Sequence, residues 1–480
     1  MAVDEKKKAL LLWLDENMTR FAKMADQIWE NPEIYWEEVF ASGLLADYLE
    51  SEGFSITRNP AGMQTAFIAE WGRGKPILAF VGEYDALPGL SQINEPVKKP
   101  KVEGGPGHGC GHHILGVAST AAAASVRNWL EANNISGTVR YYGAPAEENG
   151  GAKVFMAREG LFDDLDAALT YHPAIINMPS KGSTVAVVSS SFRFFGRASH
   201  AGGAPHLGRS ALDAVELMNV GANYLREHVL DGTRIQYVIT DGGQAANIVP
   251  ERAAVRYILR AEKPDYLLEV ADRLRNIAKG AALMTDTTFE ETIESGYASM
   301  VSNHTIADLM YQALEEIGPI QFTEEELAFA QKINDTFQGT NADYVERRID
   351  LLGLGKEEAD ALRAYNDQPL LGANFPAMDA AIVFKGATDV GDLSQVVPTG
   401  ALETTCFPTC SPGHSWVNTA SGGMSIGHKG LMHGAKALAL TAAALYTDKE
   451  NLKKVRVEFE EQMAGKTYTP LIPEDMHPPK

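Results

Sequence analysis

Ile77-Leu-Ala-Phe-Val-Gly-Glu-Tyr-Asp85 decides how this chain folds. The run Ile77 to Gly82 is almost wholly apolar, as expected of a strand covered on both faces in a parallel sheet, and Asp85 lies just past its end. Upstream, Thr65 to Glu70 is a second β-rich run, and the residues before it alternate apolar and charged positions at helical spacing. Asn31-Pro32-Glu33 interrupts that spacing, which predicts two helices. Downstream, a Pro/Gly/Lys-rich loop (Gln92 to Gly107) leads to a long small-residue helix, His112 to Ala132. A strand over Thr138 to Tyr142 then runs into Glu147-Glu148, a short helix follows over Ala152 to Arg158, and a strand over Ala167 to Tyr171 ends at His172. This alternation predicts an α/β unit with a mainly parallel sheet. Ligands bind such sheets outside the carboxyl ends of the strands, where Asp85, Glu147, Glu148 and His172 fall.

From Thr184 to Glu294 the texture changes. A β-rich run ending near Phe195, a helix (Ser210 to His228), two β-like runs (Arg234 to Thr240, Ala253 to Leu259) and a helix (Tyr266 to Met284) give the order β-α-β-β-α. That order predicts a smaller α+β, ferredoxin-like domain with helices on one face, inserted at 184–294 as a lid or dimerisation unit. The parallel-sheet catalytic domain is then discontinuous, 1–183 plus 295–480. Phe322 to Pro369 is charged and helix-like, the Ala-rich helix Lys429 to Tyr446 resumes the earlier style, and the Pro-rich tail after Lys466 reads as a surface extension.

A chain of 480 residues exceeds one ordinary domain, and 45% apolar with 22% charged residues is the composition of a folded globular protein. No apolar stretch reaches the roughly 18 residues needed to span a bilayer, and no signal core opens the sequence, so a cytoplasmic location is expected. Cys110, Cys406 and Cys410 are too few for a disulfide framework. A net charge of −21 argues against nucleic acid and anionic membranes as partners, while leaving room for a local pocket that takes a small acid.

The densest chemical signal is His108-Gly-Cys110-Gly-His112-His113, just before the long helix. Imidazole and thiolate are the usual ligands of zinc-like cations, and glycines let them crowd one point. A structural zinc site would need a second Cys pair, which Cys406 and Cys410 do not make, so a catalytic site with carboxylates fits better. Glu147-Glu148 supplies two adjacent acids that project differently, so that one can hold a cation while the other reaches a water. His172 and His414, the latter in Pro412-Gly-His414-Ser-Trp416, complete the N/S/O set of a paired-cation centre. Each has a plainer reading alone: a small buried thiol, a solvated acidic turn, a core or surface histidine. It is their company that favours chemistry.

Asn31-Pro32-Glu33, Gly82-Glu-Tyr-Asp-Ala-Leu-Pro88, Gly109-Cys-Gly-His112, Glu147-Glu148, Ala198-Ser-His-Ala201, Asn247-Ile-Val-Pro250 and Pro412-Gly-His414 occur in the order seen in M20 metallopeptidases, and the chain resembles their amidohydrolase branch over nearly its whole length. The resemblance implies two divalent metal ions per protomer, zinc or manganese, held by Cys110, His112, Glu148, His172 and His414, with Glu147 as general base. It further implies that His200 stabilises an oxyanion, in one arrangement from a neighbouring protomer, that Asn247 and Arg260 hold a substrate carboxylate, and that Asp85 orients a ligand histidine. Without it, Asn247 reads as a turn amide, Arg260 as a charged strand end and Asp85 as a turn cap. His113 departs from the family, which often has an acid there. The implied reaction is cleavage of an N-acyl or N-aroyl amino acid, p-aminobenzoyl-glutamate foremost, by a homodimer or together with a related A-type chain. A general aminoacylase or dipeptidase is the neighbouring alternative.

Two readings of other classes compete. Gly423-Met-Ser425-Ile-Gly427 has the form of a serine-hydrolase elbow, although Val417 to Gly422 makes a poor buried strand. A binding protein that kept the fold without the chemistry is the other, and the complete set of candidate ligands speaks against it.

Overall fold

The computed structural model describes residues 5–380 and 382–479. Its strands are β1 (Ser55–Arg58), β2 (Phe67–Arg73), β3 (Ile77–Gly82), β4 (Gly137–Gly143), β5 (Ala167–Ala174), β6 (Met178–Ser180), β7 (Ser183–Thr184), β8 (Ala186–Phe195), β9 (Arg234–Asp241), β10 (Arg252–Ala261), β11 (Thr288–Tyr297), β12 (Val383–Phe384) and β13 (Thr399–Thr405). Seven of them form a central sheet in the order β1-β2-β4-β3-β5-β13-β6. The middle four, β4-β3-β5-β13, are parallel, and both edges are closed by antiparallel neighbours.

The period of two along β3 explains the layering. Leu78 and Phe80 join one core with helices Glu5–Glu30, His112–Asn133, His304–Ile317 and Ser425–Thr447, whereas Ala79 and Val81 join another with helices Ala152–Arg158 and Val390–Val396. Gly116 lets the long helix ride close over the end of β3, since a Cβ there would stand 2.6 Å from the Glu83 carbonyl oxygen. The sheet thus presents its carboxyl ends directly beside the first turn of that helix.

A second sheet, β11-β8-β10-β9, is antiparallel throughout and has its own core with helices Ala211–Leu225 and Pro264–Thr285. Its last strand, β11, escapes the sequence reading because Thr288-Phe-Glu-Glu-Thr-Ile-Glu is a half-exposed strand with few apolar positions. The charged segment forms three helices, Glu324–Asn334, Asn341–Leu352 and Lys356–Arg363, the first two opened by capping boxes on Thr323 and Thr340.

Three expectations are corrected. β5 does not stop before His172: its pairing with β13 continues to Ala174↔Thr405, so His172 projects from within the strand. Ser425 does not sit on a strand-to-helix elbow, because residues Trp416–Gly422 are themselves helical and Ser425 opens the next helix. The tail is not a loose extension. Leu471 is buried in the core of the four-stranded sheet and Ile472 in a core of the central one, Tyr468 donates to Asp392, and Arg158 holds the carbonyls of Pro473 and Met476. Apolar residues flanking a proline found partners that composition alone does not reveal. No helix among the described residues is long and apolar enough to cross a membrane.

The tail carries a stability prediction. Leu471→Ala should destabilise the fold by about 2–4 kcal/mol in a urea titration, whereas Val457→Ala, 45% exposed, should stay within about 0.5 kcal/mol.

Candidate metal centre

Four chain segments converge where the parallel strands end. Asp85 follows β3, Cys110 and His112 open the long helix, Glu147 and Glu148 follow β4, and His172 lies in β5. Gly111 permits the tight entry to the helix: its φ is +85°, and a Cβ there would meet Phe407 at 2.9 Å and Pro173 at 3.0 Å. Ala146, with φ +58°, turns the chain before the two glutamates, and its N–H is anchored on buried Glu38 at 2.8 Å. His414 also adopts a left-handed backbone, φ +53°, a conformation unusual for a non-glycine residue and frequent at functional turns.

The hydrogen bonds fix which imidazole nitrogens are free. His112 Nδ1 donates to Asp85 Oδ1 at 2.7 Å, and its Nε2 is buried without a hydrogen-bond partner. His172 Nδ1 donates to the Pro173 carbonyl at 2.8 Å, so its Nε2 faces Cys110 Sγ at 3.4 Å. His414 Nε2 stands 3.3 Å from Glu148 Oε2. The second oxygen of Asp85 accepts from the Glu148 N–H at 2.9 Å, which ties the acid pair to the histidine. Glu83 adds a carboxylate 3.4 Å from His112 Nε2, and Glu147 another at 4.0 Å.

Burial dominates the electrostatics. It pushes the Cys110 thiol up to about 12 and pulls His172 down to about 4, with His112 adding to the latter. Burial also opposes charge on His112, but Cys110 and Asp85 outweigh it and raise that imidazole well above its ordinary value. Glu147 and Glu148 are both raised, first by burial. Behind them Lys153, fully buried, bridges Glu83 Oε1 at 2.8 Å and Asp389 Oδ1 at 2.5 Å.

These residues suit divalent cations. Cys110, His112 and His172 form one group whose ligand atoms lie within 4.8 Å of one another, and Cys110, Glu148 and His414 form a second sharing the thiol. His112 Nε2 and Glu148 Oε1 are buried without a hydrogen-bond partner, an arrangement expensive for polar atoms unless a cation is their partner. A third group, Glu83, His112 and Glu147, adjoins them. The centre opens on a cavity of about 430 Å³ lined on one side by Glu83, Cys110, Glu147, Glu148, His172 and His414.

His200, Asn247 and Arg260 do not join this cluster. His200 and Asn247 are exposed on facing loops of the four-stranded sheet, linked by Ala201 N–H to the Asn247 carbonyl at 3.0 Å, and neither lines the cavity. Arg260 reaches the cavity rim only indirectly, by donating to the Lys385 carbonyl at 3.2 Å. His113 is buried against His108 and its Nε2 meets the Gly422 carbonyl at 3.1 Å, so its contacts are structural. Reading the sequence does not single out Glu83, Lys153 or Asp389. Glu83 has a usable signal, two positions before Asp85 at the same strand end, while the Lys153–Asp389 pair joins segments far apart in the chain and has none.

The model of peptidase family M20/M25/M40 matches residues 79–361, more than half the chain. The chain is 41% identical to the B subunit of p-aminobenzoyl-glutamate hydrolase of Escherichia coli, over 97% of both sequences. It is 26% identical to the A subunit of that hydrolase, over 60% of this chain and 67% of the relative. Among solved structures, a dinuclear metal-binding peptidase of the M20 family from Bacillus subtilis superposes with a TM-score of 0.57 at 18% identity, covering 89% of this chain and 99% of that one.

The buried lysine supports a test. Lys153→Met leaves Glu83 and Asp389 without a counter-charge and should cost about 3–5 kcal/mol of stability at pH 7. Burial already holds the Asp389 carboxyl above the ordinary range, so the folded variant takes up a proton there as pH falls. The deficit relative to the parent should therefore shrink on acidification from pH 7 to 5, as followed by urea denaturation at each pH.

Proposed function

The chain belongs to peptidase family M20/M25/M40 and is a metallo-amidohydrolase, and from that premise we propose that it hydrolyses N-aroyl or N-acyl amino acids, with p-aminobenzoyl-glutamate as the favoured substrate. The observation that carries the reading is the pair of ligand groups meeting at Cys110 beside an acid, Glu147, that belongs to neither.

Cys110, His112, Glu148, His172 and His414 are the proposed ligands of two divalent cations, zinc or manganese. Such cations polarise a scissile carbonyl and lower the pKa of a water from about 15.7 toward roughly 7. Glu147 takes a proton from the attacking water as the C–O bond forms and the carbonyl oxygen becomes an oxyanion, then returns that proton to the amide nitrogen as the tetrahedral adduct collapses, so that the C–N bond breaks and the amine leaves neutral. The raised affinity of Glu147 for a proton, a consequence of burial, suits that shuttle. Asp85 and the Pro173 carbonyl orient the His112 and His172 imidazoles so that Nε2 of each is the atom turned to the other candidate ligands.

His200 accepts the N–H groups of Gly202 and Gly203 on Nδ1, at 3.2 and 2.9 Å, which puts its proton on Nε2 as a donor for an oxyanion. Since it lies off its own cavity, we assign it to the site of a second copy, together with the carboxylate-holding roles of Asn247 and Arg260. The unit at 184–294 is then a lid and dimerisation domain. β9 is an open sheet edge with Tyr237, Val238 and Ile239 exposed, a surface that pairs readily with another strand. The related A-type chain is the other partner to test, since the two Escherichia coli relatives are named as the A and B subunits of one hydrolase.

Metal-loaded protein, alone and with an A-type chain, is to be assayed on p-aminobenzoyl-glutamate and a panel of acyl amino acids and dipeptides. Chelation should abolish turnover. Glu147→Ala should lose at least about 10²-fold in kcat with metal content near normal, and Cys110→Ala should lower the bound metal itself. Retained turnover in the first, or unchanged stoichiometry in the second, removes that residue from its role. Mixing inactive Glu147→Ala with inactive His200→Ala should restore part of the activity if sites are completed across copies; no recovery rejects the shared site.

A further inference from the structure

The cavity wall beside His172 has a polar feature that the hydrolytic reading does not use. In the parallel ladder of β5 and β13, Glu403 stands opposite His172 and Ala401 opposite Thr170, and on the other side of β13 Ser180 pairs with Ala401. Side chains two apart on a strand share a face, so Thr170, His172, Ala401 and Glu403 look into one space, and all four line the cavity with Ser180. Glu403 is thus one strand spacing, about 4.8 Å, from a proposed ligand.

Glu403 is held from behind. Arg348, on helix Asn341–Leu352 of the charged segment, donates from Nη2 to its Oε2 at 3.2 Å. Among the described residues its Oε1 has no hydrogen-bond partner, and it is not among the buried unpartnered atoms, so it is an open acceptor on a residue of the cavity wall. The rest of that wall is apolar or hydroxylic: Met300, Phe384, Val390, Thr184 and Thr388. Lysine and arginine are absent from the described lining, whereas Glu83, Glu147, Glu148 and Glu403 are present. A carboxylate beside Glu403 meets another acceptor and no lysine or arginine of the lining, which favours the acyl half of the substrate over the amino-acid half at this wall.

We propose that Glu403, positioned by Arg348, selects acyl groups that carry an N–H donor at their far end, such as the ring amine of an aminobenzoyl group. This rests on the amidohydrolase reading of the same cavity and gives the helices of the charged segment a part in specificity. An acceptor oxygen set among the apolar and hydroxylic residues of this wall rewards a donor and is left desolvated when a hydrocarbon takes its place.

The test crosses two variants with three substrates: p-aminobenzoyl-glutamate, benzoyl-glutamate and 6-aminohexanoyl-glutamate, the last separating a cationic aliphatic amine from a neutral aromatic one. The parent should favour the aminobenzoyl over the benzoyl substrate by roughly ten- to a hundredfold in kcat/KM. Glu403→Ala should bring that ratio to within about threefold of unity while still hydrolysing benzoyl-glutamate, which also shows that it is folded. Arg348→Met should reduce the ratio through KM with kcat on benzoyl-glutamate kept, and Arg348→Lys should restore part of it. A preference for the aliphatic amine that vanishes with Glu403→Ala supports the same donor-recognising role. A ratio unchanged by Glu403→Ala overturns the inference and leaves the amidohydrolase reading intact. Failure of the parent to cleave any of the three overturns that reading instead.

Discussion

One buried carboxylate ties the centre together. Asp85 accepts from the His112 imidazole with one oxygen and from the Glu148 N–H with the other, so the end of β3, the start of the long helix and the loop after β4 are pinned to a common point. His112 and Asp85 are almost wholly buried, where a charged hydrogen bond is worth more than at the surface and an unmatched group costs more. The apolar strand that supplies Asp85 is therefore both the core of the sheet and the mount of the site. Tension between the two roles is relieved by glycine: Gly116 lets the helix close on the strand, and Gly111 lets the ligand-bearing turn fold over Pro173.

The same compactness concentrates negative charge. Glu83, Glu147, Glu148, Asp85 and Asp389 share a small volume with Lys153 as their buried cationic side chain. Burial first, and then the neighbouring carboxylates, raise the affinities of Glu147, Glu148 and Asp389 for protons. A thiol pushed to about 12 deprotonates at neutral pH only if a cation replaces its proton. On the proposed reading, two divalent ions would turn this electrostatic arrangement into a satisfied one, while the hydrogen bonds of Asp85 and of the Pro173 carbonyl orient the imidazoles.

What the sequence reveals follows from the range of the interactions. β3, the long helix over 112–133 and the short helix Ala152–Arg158 are legible because local apolar period and small-residue content determine them. The grouping of Cys110, His112, Glu148 and His172 is legible because a parallel sheet sends all strand ends to one edge. The strand position of His172 is not, because ladder pairing, and not hydropathy, sets where β5 stops. Strand β11 and the packed tail are hidden because their partners are supplied by remote residues, Phe194 and Phe192 for Phe289, Asp392 for Tyr468. Lys153 resembles any helical lysine until the fold buries it.

The distribution of charge also constrains how a substrate must approach. With a net charge of −21 and four glutamates on the cavity wall, the protein alone repels an acyl amino acid, whose carboxylate is its only certain charge. On the proposed reading, attraction comes from the divalent cations at one end and from basic or amide groups outside the cavity at the other. Arg260, which has no acidic partner among its hydrogen bonds, and Asn247 lie on the four-stranded sheet, separate from the acids. Segregating the two signs has a clear advantage: a cationic group placed beside Glu83 or Glu147 would form an ion pair with it and be unavailable to substrate, as Lys153 is. On the proposed reading, which gives Asn247 and Arg260 the substrate carboxylate, their place outside the acidic cavity keeps them free until two surfaces meet around a ligand, and a composite site is the electrostatic consequence.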